Sequence, residues 1–154
     1  MARIKIEHRL GIAAPAHEIW KLVGDLAHWK DWNPLYTEAE GTLAFGAQLK
    51  LTLVLPGRKP QVIRPTVESW TPEELIHWRL SALGGLVRTI RYIEIEKLTD
   101  TGCIFSNGEI FDGLLGPLVA RSMRGAIRSG FAAMGEAVKT RVEAAWREQA
   151  ESPT

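Results

Sequence analysis

The first residues of the chain alternate between apolar and polar side chains. Ile4, Ile6, Leu10 and Ile12 share one face with His8, and charged residues occupy most of the positions between them. A period of two residues is typical of a strand with one buried face. Similar alternation recurs later in the chain, near residues 49–55, 61–70, 76–80, 88–97 and 105–111. In all, this pattern predicts about seven short strands.

Two short helical segments are predicted between the first strand and the next. Pro15 suits the first turn of a helix, and apolar residues at 19, 20, 22 and 23 form one side of it until Gly24 and Asp25 interrupt the pattern. A second helical turn is predicted over residues 26–30. The aromatic-rich stretch that follows reaches Pro34, which disfavours helix at the residue before it.

A long amphipathic helix is predicted from Leu118 to about Glu148. Its apolar residues recur at steps of three and four, at positions 119, 123, 127, 134, 138 and 142. Small residues, Ser122, Ala126, Gly130 and Ala133, are predicted to share a face that leaves room for a ligand beneath a curved sheet.

The order of these elements resembles the helix-grip fold of the START and Bet v 1-like (SRPBCC) superfamily. Asp25, Trp29, Trp32, Asn33 and Pro34 are similar to a "D…W..W-N-P" stretch of its polyketide cyclase/dehydrase-like members. The segment 109–113 is similar to their "E.F.G" pattern, and 75–78 to their "L.W" strand. The resemblance implies an α+β fold in which a seven-stranded curved antiparallel sheet wraps around a long C-terminal helix. It also implies a cavity.

Length and composition fit one domain, assigned to residues 1–148, with a disordered tail over 149–154. A formal net charge of +1 argues against a dedicated nucleic-acid partner. No stretch of the sequence has the length and apolarity of a membrane-spanning helix or a signal peptide. The single cysteine excludes an internal disulfide and fits a cytoplasmic setting. Metal-ligand spacings and nucleotide-binding motifs are absent from the sequence, so we expect no metal and no cofactor.

Polar residues on apolar strand faces are the candidates for chemistry. Glu109 and His8 are the candidate acid/base residues, because a buried carboxylate or imidazole could exchange protons with a ligand. The alternative for Glu109 is a structural carboxylate that pairs with Arg91 or Arg121. For His8 the alternative is a satisfied core residue, which a lone histidine on an apolar face more often is. Asn107 is a third polar candidate on such a face.

Aromatic and small side chains are the candidate ligand contacts, since small-molecule pockets are commonly lined by aromatic residues. The predicted ligand-binding set is Trp29, Trp32, Trp78, Tyr92, Asn107, Phe105, Phe111, Ser122 and Ala126. Ordinary core packing is the alternative for each aromatic member. Loops 56–60, 82–87 and 112–116 are expected at one end of the sheet, where they would form the mouth and gate the cavity.

The leading functional hypothesis is binding or transport of a hydrophobic or aromatic small molecule, lipid-like or polyketide-like, in a cavity between sheet and helix. An enzyme of the cyclase or dehydratase class, using Glu109 or His8, is the first alternative. A co-chaperone-like or regulatory interaction module with an exposed apolar patch is the second. Apolar helix ends and loops at the mouth could also support a homodimer.

Overall fold

A computed structural model of the protein describes residues 3–151. It contains eight strands, two α-helices and two 3₁₀ helices over this range. In chain order they are β1 (Ile4–Ile12), α1 (Ala16–Val23), a 3₁₀ helix (Leu26–Asp31), β2 (Tyr36–Glu40), β3 (Lys50–Leu53), β4 (Gln61–Ile63), β5 (Thr66–Thr71), β6 (Leu75–Ala82), a 3₁₀ turn (Leu83–Gly85), β7 (Val87–Thr99), β8 (Gly102–Asp112) and α2 (Gly116–Glu151).

The strands form two antiparallel sheets, and the expectation of seven strands in one sheet is wrong. The larger sheet has the order β1-β8-β7-β6-β5, and the smaller has the order β2-β3-β4. The predicted strand over 61–70 divides into β4 and β5 at Pro65, whose nitrogen cannot donate to a ladder. The two sheets nevertheless meet, because Leu49 N–H donates to the Pro65 carbonyl at 2.8 Å and Gln48 bridges to Thr66.

The long helix α2 lies against the larger sheet, mainly against β1 and β8. Glycines permit its close approach: a Cβ at Gly135 would lie 3.0 Å from the Leu10 side chain, and one at Gly130 would lie 2.8 Å from that of Leu35. The helix buries Ala120, Ile127, Gly130, Phe131, Met134, Gly135, Val138 and Val142. The predicted small-residue face therefore needs correction, because Ser122 and Ala133 are exposed and Ala126 is half-buried.

The aromatic segment after α1 is a structural turn. The Asn33 side-chain oxygen accepts hydrogen bonds from the backbone N–H groups of Leu35 and Tyr36, at 2.9 and 3.0 Å. Trp29 is fully buried and donates its indole N–H to the Val23 carbonyl at 3.1 Å. This turn therefore places Tyr36, the first residue of β2, in the core.

The predicted domain boundary at residue 148 falls inside α2, which continues to Glu151. The rest of the predicted tail, residues 152–154, lies outside the described residues. Among the helices of residues 3–151, none has the length and apolarity needed to cross a membrane.

Candidate functional site

A cavity opens between the larger sheet, strands β3 and β4, and the first half of α2. Its volume is about 860 Å³, and this includes a continuation over the outer face of the sheet beside Arg88 and Ile90. Those two residues alternate with Val87, Thr89 and Arg91, so they point away from the helix. Apolar residues of the inner wall include Leu53, Leu55, Val87, Phe111, Val119, Met123 and Ile127.

The strand register gives the depth of each wall residue. Ala82 pairs with Val87 at the loop end of the sheet, and Thr89 pairs with Phe111 one step further in. Arg91 pairs with Glu109 at the next inward step, and both side chains line the cavity. Deeper still, the space is filled by buried side chains that include Ile93, Asn107 and Phe131. Arg91 and Glu109 thus form the inner end of the cavity.

An ion pair occupies this inner end. Arg91 Nε lies 3.0 Å from Glu109 Oε2, and the two side chains are only 6% and 3% exposed. Arg91 also donates from Nη1 to the Tyr36 hydroxyl at 3.0 Å. The guanidinium lies about 6 Å from the ring centres of Tyr36 and Phe131, so aromatic faces flank the charge.

Burial and charge act in opposite directions on the Arg91 guanidinium. Burial alone would lower the pKa of Arg91, but the Glu109 carboxylate and the Tyr36 hydroxyl outweigh it, and the pKa is raised. Burial also raises the pKa of Tyr36, with Arg91 opposing that shift. The inner end therefore holds a permanent guanidinium charge next to a neutral phenol at physiological pH.

Three buried polar atoms of cavity-lining residues have no hydrogen-bond partner within residues 3–151. Arg91 Nε is one of them, although the ion pair holds it 3.0 Å from Glu109 Oε2. The other two are Glu109 Oε1 and Thr89 Oγ1, in residues that are 2% and 7% exposed. A buried polar atom without a hydrogen bond is costly, and such atoms in native proteins are normally satisfied by water or by a ligand. The cavity wall thus offers one carboxylate acceptor and one hydroxyl group to whatever occupies it.

The loops after β3, β6 and β8, which the sequence analysis expects to form the mouth, lie beside the cavity. Residues that flank all three loops line the cavity: Leu55, Gln61, Ala82, Val87 and Asp112. The last two loops are joined, because Leu115 N–H donates to the Leu86 carbonyl at 2.9 Å. Leucines at 83, 86, 114 and 118 are exposed around this end.

Among the predicted acid/base residues, Glu109 lines the cavity and His8 does not. His8 is the register partner of Asn107, and its ring lies beside Gly135 of α2, where an added Cβ would be 3.2 Å from Nδ1. Asn107 is buried and donates its side-chain N–H to the Phe131 carbonyl at 3.2 Å. His8 and Asn107 therefore lie at the contact between sheet and helix.

Of the predicted aromatic contacts, Phe111 lines the cavity. Trp29, Trp78 and Phe105 are core residues with at most 1% exposure, and half-buried Trp32 packs edge-on against Trp29. Trp29 and Trp78 pack against each other and against the ring of Tyr36. This packing fixes the position of Tyr36, whose hydroxyl accepts the hydrogen bond from Arg91.

Three other predicted contacts lie away from the cavity wall. Tyr92 is on the outer face of the sheet, where it covers Gly108 and donates its hydroxyl proton to Glu7. Ser122 is exposed and bonds the Val119 carbonyl of its own helix. Ala126 is half-buried and packs against the core cluster. Side chains on the outer face or on the solvent side of α2 cannot reach a ligand between sheet and helix.

The structure adds Thr89, Met123 and Ile127 to the cavity wall, and it pairs Arg91 with Glu109 as one sequence alternative proposed. The sequence pattern of residues 88–97 does not show which face carries Thr89, because polar and apolar residues occupy both faces of this strand. Side chains two residues apart on a strand share a face. Counting back in steps of two from Ile95 and Ile93, which are both buried, places Thr89 on the inner face.

The described part of the chain lacks a cluster of side chains that could bind a metal ion. Residues 3–151 contain no group of three His, Cys, Asp or Glu side chains that could hold an ion. The carboxylate of the cavity wall, Glu109, is paired with the Arg91 guanidinium.

Solved structures with the same fold include several enzymes. Norcoclaurine synthase from Thalictrum flavum superposes with a TM-score of 0.69 and 22% identity, over 92% of this chain and 94% of that one. An aromatase/cyclase from Streptomyces sp. R1128 gives 0.69 and 19%, over 92% and 94%. A START superfamily protein from Mycobacterium smegmatis gives 0.69 and 19%, over 92% and 98%. At these identities the likeness establishes the fold alone.

A search of curated proteins finds no significant match. The family model described as "Polyketide cyclase / dehydrase and lipid transport" does match, over residues 3–143. That span contains the cavity, the Arg91–Glu109 pair and all eight strands. The chain therefore belongs to the polyketide cyclase/dehydrase and lipid transport family.

Proposed function

We propose that this protein binds a hydrophobic or aromatic small molecule in the cavity between the sheet and α2. The carrying observation is an apolar inner wall that ends at the buried Arg91–Glu109 pair. Small-molecule sites are mostly apolar with a few placed polar groups, and their volumes run from about 300 to 1,000 Å³. A wall of Leu53, Leu55, Val87 and Phe111 would hold an apolar body by burying its surface.

Native mass spectrometry of the freshly purified protein tests the proposal first. We expect a mass above that of the bare chain, and denaturation should release an apolar molecule that can be identified. Titration with lipid-like, quinone and aromatic polyketide compounds follows if the protein is recovered empty. An empty protein that binds none of them would oppose cavity binding and favour an interaction module.

A cavity-filling variant separates binding in the cavity from binding at the surface. Met123 lines the wall from α2, so Met123→Trp should occupy ligand space and weaken binding at least tenfold. Ser129→Trp is the matched control, because Ser129 is exposed on the same helix. Equal affinity of both variants for the ligand would place binding outside the cavity.

A cyclase or dehydratase activity is the second candidate, and the free oxygen of Glu109 is the observation that favours it. The carboxylate of Glu109, a residue of the cavity wall, could remove a proton α to a ligand carbonyl, provided it reaches that proton directly or through one water. The family match includes cyclases and dehydrases by its description. In this proposal Glu109 is the base, and Arg91 is a positioning residue that orients the carboxylate.

Deuterium exchange at the methylene of a bound aromatic 1,3-diketone would test this chemistry. We expect exchange faster than in buffer and its loss in Glu109→Gln, with ligand affinity measured in parallel. His8→Gln tests the other predicted acid/base residue, and we expect it to retain the exchange. Ligand binding without accelerated exchange would support a carrier function and contradict the proposed enzyme activity.

A further inference from the structure

We infer that the ligand carries an uncharged hydroxyl group, alcohol or phenol, which binds at the inner end of the cavity between Glu109 and Thr89. The inference rests on the proposed ligand binding and assigns the chemical class of the ligand. Glu109 and Thr89 both line the cavity, and the buried atoms Glu109 Oε1 and Thr89 Oγ1 have no hydrogen-bond partner in the described chain. A hydroxyl donates one hydrogen bond and accepts others, so it can satisfy both atoms at once.

The local charge balance favours a neutral ligand. The charge of Arg91 is already matched by Glu109 at 3.0 Å, and its Nη1 is committed to Tyr36. A carboxylate ligand would place a second anion beside the free oxygen of Glu109. An ammonium ligand would place a second cation beside the Arg91 guanidinium. Either charge would also lose its hydration in a site this buried.

A purely apolar ligand fails for a different reason. In native proteins, buried polar atoms that lack a protein partner, as Glu109 Oε1 and Thr89 Oγ1 do in the described chain, are normally hydrogen-bonded to ordered water. A ligand that displaces this water without replacing its hydrogen bonds leaves both atoms unpaired, and affinity falls. The inner end should therefore bind a ligand with a hydroxyl group more tightly than the same ligand with a hydrogen atom or a methoxy group in its place.

The orientation of the ligand follows from the depth of these groups. Thr89 lies one register step inside Val87, and Glu109 lies one step further in than Phe111. Apolar residues of β3, β7, β8 and α2 line the path between this end and the mouth. The ligand should thus enter with its hydroxyl first and leave its apolar body against the wall nearer the loops.

Four ligands with one skeleton test the inference: 2-naphthol, 2-methoxynaphthalene, naphthalene and 2-naphthoate, compared by calorimetric titration. We expect 2-naphthol to bind at least tenfold more tightly than the other three, a difference of about 1.4 kcal/mol. A series of dodecanol, dodecane and dodecanoate repeats the comparison on a flexible skeleton. Equal binding within both series, or preference for the carboxylates, would overturn the inference while sustaining the proposed function. Failure of every compound to bind would oppose the proposed function itself.

Variants at Thr89 test whether the preference for a hydroxyl ligand arises at the inner end of the cavity. Thr89→Val removes the hydroxyl at nearly constant volume, and Thr89→Ser keeps it. We expect Thr89→Val to reduce the preference for naphthol over methoxynaphthalene by several fold, and Thr89→Ser to retain it. Because Thr89 is outside the ion pair, neither change leaves a buried charge alone. A hydroxyl preference that Thr89→Val leaves intact would contradict the assigned site.

Discussion

Arg91 and Glu109 are direct register partners on β7 and β8, and they form a buried ion pair with 3.0 Å between Nε and Oε2. Both side chains point from the sheet toward α2, so the pair closes the inner end of the cavity. Removing two charges from water is expensive, and their attraction offsets this cost only while both are present. The stability of the domain and the chemistry of the cavity therefore depend on the same two residues.

Replacing one member of this pair should destabilise the protein more than replacing both. Arg91→Met alone should lower the free energy of unfolding by about 3–5 kcal/mol, because it leaves the carboxylate of Glu109 buried without its partner. Arg91→Met with Glu109→Leu should recover most of that loss. Urea unfolding of the single and double variants measures this coupling. Additive losses in the double variant would show that the two charges act independently.

A second prediction concerns Gly113, which joins β8 to the loop before α2. Its φ is +87°, and a Cβ there would lie 2.6 Å from the Leu86 carbonyl oxygen. Gly113→Ala should lower the free energy of unfolding by more than about 1 kcal/mol, because both the dihedral and the contact oppose a side chain. Thermal unfolding provides the measurement.

Gly125→Ala is the control for that change. Gly125 lies in α2, and open space surrounds the position that a Cβ would take there. Alanine at this position should stabilise the helix by about 0.5–1 kcal/mol. Equal effects at positions 113 and 125 would contradict the tight contact between the two loops of the mouth.

A third prediction concerns Asn33, whose side-chain oxygen holds the turn that leads into β2. Asn33→Ala should cost about 1–3 kcal/mol, because the buried N–H groups of Leu35 and Tyr36 lose their acceptor. Asn33→Asp keeps that acceptor and should recover part of the loss. Since Tyr36 bonds Arg91, the alanine variant should also weaken ligand binding, which titration would detect. A stable Asn33→Ala protein with unchanged affinity would refute this role.

The fourth prediction is a pH dependence at Glu143, which joins α2 to the end of β1. Burial would raise the pKa of Glu143, but the backbone N–H of Ala13, at 2.7 Å, and the Lys139 ammonium, at 2.8 Å, outweigh it and lower the pKa. The folded pKa is thus below the ordinary value of 4.5. The ionised Glu143 carboxylate stabilises the fold at pH values above 4.5, and this contribution is lost as the pH falls through the folded pKa.

Glu143→Gln should therefore flatten the decline of stability below about pH 4.5. Urea unfolding across a pH series, from neutral to acid, measures the slope. Glu148→Gln is the control, because Glu148 is an exposed carboxylate of the same helix. An unchanged acid slope in Glu143→Gln would refute the contribution of this carboxylate.

The alternation of side chains determined much of the fold. Ile4, Ile6 and Ile12 define β1 because a strand with one buried face needs a period of two. The apolar steps at 127, 134 and 138 define α2 in the same way, with a period near 3.6. These are local relations along the chain, so the sequence alone indicated the strands, the long helix and the family.

Tertiary structure decided which inward residues meet a cavity and which meet the core. His8, Asn107 and Glu109 share one face of the sheet by parity, yet only the last reaches the cavity, because α2 covers the first two through Gly135 and Phe131. Pro65 similarly divided one predicted strand into two, at the junction of the sheets. Period and parity give the direction of a side chain, whereas its depth depends on how distant segments pack.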